Sequence, residues 1–325
     1  MISGIFDRFF GKDSGELYFV DAHSQVDEHV PDLSLITRRM SKSGVRKTIL
    51  APRGFRTHRQ ILDFTAANPQ GTIIPAIRTK GQAYTNDEPH YYENLDRHVR
   101  SNCFGALGEV LLYHAEKRNE ADEVIADEVL VCPKNPQVEA AFNAAKEKKW
   151  PFVVHIEYAA FMSCIDCERS PEKLKKLKRF KRELEELWLL SSQVKHPIVL
   201  IHMAQMDDAM VGELLQESDS IYFMASCCNP IQGAGSNQPW TQMFKEETLM
   251  LKPEWKELIT AYPKRFIFAI DNVWRYHWEV QYKDVVRLWR NALNAVPPNV
   301  SHAFAHGNAE QLWRLDEYRL EEYCR

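Results

Sequence analysis

Long hydrophobic runs are missing from this 325-residue sequence. The longest ones, such as residues 266–270, have the length of a buried strand, whereas a membrane-spanning helix needs roughly 20 apolar residues. The first eleven residues contain no apolar core and carry Asp7 and Arg8, which argues against a secretory signal peptide. We therefore expect a protein that works without a membrane.

A strong excess of charge of one sign is also missing. Lys and Arg together number 41, Asp and Glu number 45, and the formal net charge is −4. Such a chain has no overall attraction for nucleic acid or for an anionic membrane. The basic run at residues 173–182 is followed at once by acidic residues, so we interpret it as the solvated face of an outer helix. The expected partner is a small-molecule substrate, and a homo-oligomer is compatible with the sequence.

Cysteine is sparse and odd in number, with seven residues in the chain. This count predicts reduced thiols and a cytoplasmic location instead of a disulfide framework. Cys164 and Cys167 form a CxxC pair, and Cys227 and Cys228 are adjacent. We expect these four to be unlinked thiols, with a structural zinc site or a redox pair as the alternatives.

No glycine-rich phosphate loop follows the first predicted strand, which argues against a doubly wound open sheet. Short apolar, β-branched runs predict eight strands with helices between them. The runs are residues 17–22, 45–51, 72–77, 105–111, 151–156, 197–203, 220–224 and 265–270. Eight β-then-α units predict an α/β fold, a (β/α)8 TIM barrel, with residues 1–325 as a single domain. Two long loops, at about 157–170 and 225–250, would cover its catalytic face.

Ionisable residues stand at the C-terminal ends of five of these strands. They are His23, Glu109, His155, His202 and Asp271. The C-terminal ends of barrel strands converge around the axis, so these side chains would point into one small volume. Burying them together is unfavourable unless they are paired or bind a metal. Imidazole and carboxylate ligands suit Zn²⁺, Fe²⁺ or Mn²⁺, so we predict a divalent transition metal, with zinc as the first choice.

The order of these residues resembles that of the amidohydrolase superfamily of metal-dependent hydrolases. Residues 105–112, GALGEVLL, look like the Gly-Glu segment of TatD-like members, and residues 265–271, RFIFAID, look like the family's RLLFGSD segment. Residues 308–315, NAEQLWRL, resemble the helix that closes amidohydrolase-related barrels. The likeness extends from about residue 17 to residue 315 and implies a TIM barrel that hydrolyses its substrate with a metal-activated water.

The resemblance also implies a role for each strand-end residue. His23 would be a first-strand ligand, and Glu109 would take the position that bridges two metals. His155 and His202 would hold the second metal. Asp271 would bind metal and accept the proton of the attacking water, with His202 as the second catalytic residue.

One position departs from the family pattern. Gln25 stands where the second histidine of the first strand is expected, and a neutral amide oxygen is a poorer ligand for zinc than imidazole. No lysine follows the fourth strand at the matching place, so a carbamylated lysine bridge is not indicated. Gln25 is kept in the candidate ligand set, and the number of ions, one or two, stays open.

Four further residues are candidates for substrate binding. Arg53 and Arg78 follow the second and third predicted strands, where a guanidinium can hold a carboxylate or a phosphate. His114 follows the fourth strand and Trp274 follows the eighth, so both could line the same cavity. Arg78 is the better of the two arginine candidates, since it directly ends a predicted strand.

The leading interpretation is hydrolysis of an ester, lactone, amide or phosphoester by a metal-activated water. An alternative of a different class is a degenerate, non-catalytic barrel that serves as a binding or scaffold protein, with Gln25 marking the loss of the metal centre. A TatD-like nuclease and a non-oxidative decarboxylase are further alternatives. The acidic net charge argues against the nuclease, whereas the acid substrate of a decarboxylase would sit on Arg78 or Arg53.

Overall fold

The computed structural model describes residues 17–118, 121, 123–233 and 240–324. Residues 1–11, on which the argument against a signal peptide rests, lie outside this range, as do residues 234–239 of the second predicted loop. Within the described part of the chain, no helix is both long enough and apolar enough to cross a bilayer.

Eight parallel strands of the described chain line up in sequence order, and we number them first to eighth. The fourth consists of two short pieces on either side of Gly108 and Glu109. The bounds are Phe19–Val26, Val45–Pro52, Ile73–Ile77, Ala106–Leu107 with Val110–His114, Phe152–Ile156, Ile198–Leu200, Ile221–Met224 and Phe266–Ile267. Each strand pairs in parallel with its neighbours in the chain. All eight predicted strands are confirmed, although several are shorter than their apolar runs.

Hydrogen bonds from the eighth strand to the first close the sheet. The backbone N–H of Asp271 donates to the carbonyl of His23 at 2.8 Å, and that of Gln25 donates to the carbonyl of Asn272 at 2.7 Å. A closed sheet of eight parallel strands with intervening helices is the TIM-barrel architecture. The predicted fold class is therefore confirmed.

Helices lie between successive strands along the chain and after the eighth strand. Their bounds are Ser34–Ser43, His58–Ala66, Gln82–Thr85, Pro89–Ser101, Pro136–Lys148, Tyr158–Cys167, Pro171–Val194, Asp208–Glu217, Pro230–Gly233, Pro253–Ala261, Tyr282–Leu293, Pro298–His302 and Asn308–Trp313. Single turns of tighter or wider helix occupy Ile201–Gln205, His277–Gln281, Ala303–Gly307 and Glu322–Cys324. Short antiparallel strands, which the sequence did not predict, follow the fourth strand at Lys117–Arg118, Val124–Ala126 and Val129–Leu130.

Two apolar layers form because side chains alternate between the faces of each strand. Val153, Val199 and Ile49 belong to the cluster that fills the barrel interior. Phe152 and Leu200, which are neighbours of these residues in the chain, belong to the larger cluster shared with the surrounding helices. The interior is therefore packed with apolar side chains up to the point where the polar strand ends begin.

Residues 157–170 were predicted to be a long loop, and this prediction is wrong for most of the segment. A helix, Tyr158–Cys167, occupies it. Its residues have high helix propensity in Ala159, Ala160 and Met162, and Phe161 is fully buried. Phe161 and partly buried residues such as Met162 and Ile165 pack this helix against the core, and such tertiary contacts are what stabilise a short helix.

A disulfide joins Cys103 and Cys324, so the prediction of reduced thiols is wrong for this pair. The two residues are 221 positions apart, and the fold brings the C-terminal segment against the start of the fourth strand. A cysteine count does not give such connectivity. Because disulfides persist mainly in oxidising compartments, the thiol argument for a cytoplasmic location does not hold for this pair.

The other cysteines are free thiols, as predicted, and they do not converge. They are Cys132, Cys164, Cys167, Cys227 and Cys228. Cys164 lies by Glu128, whereas Cys227 lies by Asp271. No group of metal-ligating side chains in the described residues contains two cysteines, so the alternative of a cysteine-built zinc site receives no support.

Candidate metal centre

The alternation of the strands carries two of the predicted ligands into the barrel. His155 lies two residues after Val153, and Asp271 lies two residues after Ala269. Both apolar residues face the interior, so the same period places the polar side chains above them. His155 and Asp271 are both buried.

An irregularity in the first strand sets the direction of its polar residues. Asp21 pairs with Thr48 and Ser24 pairs with Leu50, so three steps along the first strand face two steps along the second. A bulge of this kind re-aims side chains and is common beside active sites. Here it lets His23 join the other candidate ligands.

Gly108 allows the third and fourth strands to approach closely just before Glu109. Its N–H donates to the carbonyl oxygen of Ile77 at 2.8 Å, and a Cβ at this position would lie 3.0 Å from that oxygen. The carbonyl of Glu109 in turn accepts a hydrogen bond from the Thr79 hydroxyl at 2.7 Å. The Gly-Glu pair in the sequence therefore has a structural reason, because the glycine makes room and the glutamate projects into the site.

Glu109, His155 and His202 form one group of possible metal ligands. Each offers an atom within 4.8 Å of the others. His155 Nδ1 lies 3.2 Å from Glu109 Oε2, and the rings of His155 and His202 are 5.2 Å apart. His155 Nε2 is buried and has no hydrogen-bond partner among the described residues. A buried nitrogen without a partner is unfavourable unless something else satisfies it.

His202, Cys227 and Asp271 form a second group that shares His202 with the first. His202 Nε2 lies 3.6 Å from Asp271 Oδ2. His202 Nδ1 lies 3.1 Å from the carbonyl oxygen of Ser226 and 2.9 Å from the hydroxyl oxygen of the same residue. When Nδ1 carries the proton and donates it to the carbonyl, Nε2 is unprotonated on the side of Asp271, which is the tautomer that a metal-binding histidine needs.

His23 bridges the two carboxylates of the site. Its Nε2 lies 3.3 Å from Asp271 Oδ1 and 3.8 Å from Glu109 Oε2. The structure thus brings together all five strand-end residues predicted from the sequence.

The electrostatics of the site favour a charged Asp271 beside a neutral His202. Burial alone would raise the pKa of Asp271, but the hydrogen bond and charge of His23, with the charge of Lys80, lower it below its ordinary value. Burial lowers the pKa of His202 to about 3, against the opposing charge of Asp271. Near neutral pH the site therefore offers an anionic oxygen and an unprotonated imidazole, the forms that bind metals.

Gln25 and Lys80 both contact Glu109. Gln25 Nε2 donates to Glu109 Oε1 at 3.2 Å and to Asp271 Oδ1 at 3.1 Å, and the Lys80 ammonium is paired with the same Oε1 of Glu109. Burial lowers the pKa of Lys80 to about 8, a shift that Asp271 opposes. Gln25 therefore faces the site with its amide N–H groups, and one oxygen of Glu109 is already occupied by donors.

The four predicted substrate-binding residues lie around this site in different settings. The guanidinium of Arg53 stacks over the ring of Trp274 at 4.2 Å and lies 3.3 Å from an Asp27 oxygen. Arg78 donates to the backbone carbonyls of Gly54 and Lys80, so its hydrogen bonds hold loops together.

His114, the fourth of these candidates, lies at the edge of the ligand group. Its ring is 5.7 Å from that of His155, and its Nε2 is 3.8 Å from Glu157 Oε1. Burial lowers the pKa of His114 to about 4, so it is neutral near pH 7.

Reasoning from the sequence missed several side chains of the site. Glu157 follows His155 by two residues, is buried and pairs with Lys117 at 2.7 Å. Burial raises its pKa, but the nearby His155 ring, whose Nε2 lies 3.8 Å from Glu157 Oε1, and the hydrogen bond from Lys117 bring it down to about 2. The ring of Trp240 lies 4.8 Å from that of His202. A carboxylate directly after the fifth strand was a visible signal, whereas nothing in the sequence places Trp240.

Solved structures match this chain over most of its length, whereas no protein-family model and no curated protein matches it. An uncharacterised TIM-barrel protein from Bordetella bronchiseptica has a TM-score of 0.56 and 10% identity, covering 93% of this chain and 100% of that one. The chain has the TIM-barrel fold. A protein from Staphylococcus aureus described as an amidohydrolase has a TM-score of 0.53 and 10% identity, and the match covers 92% of this chain and 100% of that one. A protein from Acinetobacter baumannii described as a 2-pyrone-4,6-dicarboxylic acid hydrolase, with citric acid bound, has a TM-score of 0.50 and 10% identity, covering 92% and 100%.

At this level of identity the comparisons show the fold alone. The resemblance to amidohydrolases that the motifs predicted is confirmed in that sense, because a protein described as an amidohydrolase shares the barrel. The reaction has to be argued from the side chains of this chain.

Proposed function

We propose that this chain is a metal-dependent hydrolase of the amidohydrolase type. The single observation that carries the proposal is the convergence of three imidazoles and two carboxylates at the C-terminal ends of five strands. They are His23, Glu109, His155, His202 and Asp271. In barrels of this architecture the catalytic residues come from these strand ends.

The donor set suits a divalent transition metal. Imidazole and carboxylate are ligands for zinc, iron and manganese, and the buried Nε2 of His155 lacks a hydrogen-bond partner among the described residues. The orientation of His202 by Ser226 adds the support that metal-binding histidines usually have. Glu109, His155, His202 and Asp271 are the residues that would hold the ion, with His23 beside them.

The metal would lower the pKa of a coordinated water and polarise the bond to be cleaved. Asp271 is the proton acceptor, because the hydrogen bond and charge of His23 and the charge of Lys80 keep its carboxylate charged in a buried position. His23, which lies beside the residues that would hold the ion, has its Nε2 at 3.3 Å from Asp271 Oδ1 and is the next group that the proton can reach on its way to the leaving group. Substrates of this chemistry are esters, lactones, amides and phosphoesters.

A single ion is the stoichiometry that the contacts around Glu109 support. A bridging glutamate needs both oxygens for metal, but Oε1 of Glu109 already accepts from Gln25 and pairs with the Lys80 ammonium. Lys80 supplies positive charge where a second ion would lie, and Gln25 supplies amide hydrogens where a histidine lone pair would be needed. Lys80 and Gln25 therefore both make a second cation at this position unnecessary.

An acid is the substrate class that the cations at the site favour. Arg53 and Arg78 lie close enough to Lys80 for their charges to lower its pKa. Such a group of cations attracts an anionic substrate, and the guanidinium of Arg53, which lies over the Trp274 ring, suits a carboxylate. The fold neighbour described as a dicarboxylic acid hydrolase, with citric acid bound, is compatible with this proposal. The same features fit a non-oxidative decarboxylase, which is our second candidate.

The deciding experiment is a screen of zinc-loaded, manganese-loaded and chelator-treated protein against lactones, amides, esters and phosphoesters, each with and without a carboxylate group. Metal-dependent hydrolysis of a carboxylated substrate supports the first proposal, and release of carbon dioxide supports the second. A protein that binds no metal would instead be the non-catalytic binding or scaffold barrel.

A further inference from the structure

Cys227 lies inside the candidate metal centre, although no cysteine belongs to the ligand set predicted from the sequence. Its Sγ is 3.9 Å from Asp271 Oδ2. Cys227, Asp271 and His202 each offer a ligand atom within 4.8 Å of the others. Cys227 is 6% exposed, so its thiol faces this group and not the solvent.

The backbone holds Cys227 in the same unusual conformation as its two neighbours in the site. The φ angles of His202, Cys227 and Asp271 are 54°, 57° and 56°. This left-handed region is unfavourable for residues with a Cβ, and it persists where the surrounding structure imposes it, often at functional sites. Each of the three residues follows a different barrel strand, so the shared geometry is not a property of one turn.

The adjacent Cys228 is arranged differently. Its thiol donates to the carbonyl oxygen of Ser226 at 3.2 Å, and it belongs to neither group of candidate ligands among the described residues. Its φ is not among the positive values. Cys227 and Cys228 are therefore suited as test and control positions, because both are buried and only Cys227 faces the site.

We propose that Cys227 is a sulfur ligand of the metal, in addition to the imidazole and carboxylate ligands. This inference rests on the proposed metal centre and goes beyond it in naming a ligand from the turn after the seventh strand. As the metal–sulfur bond forms, the S–H bond breaks and its proton leaves to solvent, with no change in oxidation state. The hydrogen bond from the thiol to Asp271 is exchanged for coordination.

A thiolate ligand has a consequence for metal choice. Sulfur is a soft donor that suits zinc, cobalt and iron, whereas manganese and magnesium prefer oxygen. The structure thereby favours zinc or iron over manganese, a choice that imidazole and carboxylate ligands alone leave open. The anionic sulfur and Asp271 together also balance the charge of a divalent ion.

Cobalt substitution tests the inference on the full-length protein. The chain is freed of metal and loaded with Co²⁺ under a phosphine reductant, since a thiol reductant would itself ligate the ion. We expect the near-ultraviolet charge-transfer absorption of a cobalt–sulfur bond in the unaltered protein and in Cys228→Ser. Cys227→Ser is expected to lose this band and to bind Co²⁺ at least ~10-fold more weakly. A loss of this size is the lower end of the affinity change seen when residues that support a metal site are removed.

X-ray absorption of the zinc-loaded, unaltered protein gives a second test that requires no variant to fold. One sulfur at about 2.3 Å from zinc is expected. A zinc shell with nitrogen and oxygen only, or a charge-transfer band that survives in Cys227→Ser, overturns the inference while leaving the metal centre intact. Failure of the unaltered protein to bind Co²⁺ or Zn²⁺ overturns the proposed function as well, so the two failures are distinguishable.

Discussion

The backbone N–H of Asp271 donates to the carbonyl of His23 at 2.8 Å. The hydrogen bond that closes the barrel therefore joins two candidate ligands, one from each end of the sheet. Their side chains are also in contact, with His23 Nε2 at 3.3 Å from Asp271 Oδ1. Because closure and site share these residues, the relative position of the two ligands is set by the sheet and not by a mobile loop.

Replacement of Asp271 by asparagine is expected to reduce kcat by about 10²-fold or more, the scale of general acid–base catalysis. The change keeps the shape of the side chain and an oxygen for the metal but removes the charge that accepts the proton. Folding should survive, because no core cavity is opened. Turnover, metal content and a melting curve are measured together, with Asp63→Asn, an exposed helix position, as the control. Unchanged turnover in a folded, metal-loaded variant would move the role of base to His202.

Metal stoichiometry tests the roles of Gln25 and Lys80. Gln25→His introduces the missing imidazole and should strengthen metal binding, while Lys80→Met removes the ammonium from Glu109. We expect the double variant to bind a second ion and the unaltered protein to bind one, as measured by titration with Zn²⁺. Two ions in the unaltered protein, or equal affinity and stoichiometry in all variants, would contradict the proposed single-ion centre.

Replacement of Arg53 tests the proposal that the substrate is an acid. Arg53→Met keeps an apolar contact with Trp274 but removes the cation, so KM for a carboxylated substrate should rise about tenfold, which corresponds to roughly 1.4 kcal/mol. Neutral analogues should show little change in KM. The control is Arg59→Met on the exposed face of the following helix. An equal rise in KM for neutral and carboxylated substrates would mean that Arg53 supports the structure and does not bind the substrate's charge.

The pH dependence of stability can be predicted from His58. Burial, with the charge of His98, lowers the pKa of His58 from 6.5 to about 3. The unfolded chain therefore binds one more proton than the folded chain between these values, so the contribution of His58 is present above 6.5 and is lost as pH falls towards 3.

The measurement is the free energy of unfolding as a function of pH for the unaltered protein and for His58→Gln. Glutamine can still accept the hydrogen bond from the Arg78 backbone N–H that His58 Nε2 accepts at 2.9 Å. The variant should show a slope smaller by up to about 1.4 kcal/mol per pH unit in this window, while His29→Gln, at an exposed position, should not. Identical slopes of the unfolding free energy against pH in all three proteins would contradict the lowered pKa of His58 in the folded chain.

The fold could be predicted well because each strand of a TIM barrel leaves a local pattern in the sequence. Each buried strand is a short apolar run, and each polar strand end, such as His155 or Asp271, interrupts the run where the barrel opens to its catalytic face. The five strand-end residues could therefore be placed together before any contact was known.

The rest depends on contacts between distant parts of the chain. Lys80 lies three residues beyond the third strand, and only the approach of that loop to Glu109 brings its ammonium into the site. The sequence predicts only a loop thiol at Cys227, because the strained turn that aims it at Asp271 has no signature in the sequence. The pairing of Cys103 with Cys324 likewise follows from where the C-terminal segment packs.

The metal content of the purified protein tests the central claim most directly. The chain is produced in metal-replete medium, passed over a desalting column and measured by elemental analysis against protein concentration. The account predicts about one divalent transition metal per chain, retained on the column and lost from His202→Ala, since His202 belongs to both groups of candidate ligands. Less than about 0.2 metal per chain in the unaltered protein, with no uptake on titration with Zn²⁺, would contradict it and leave the binding or scaffold barrel as the better reading.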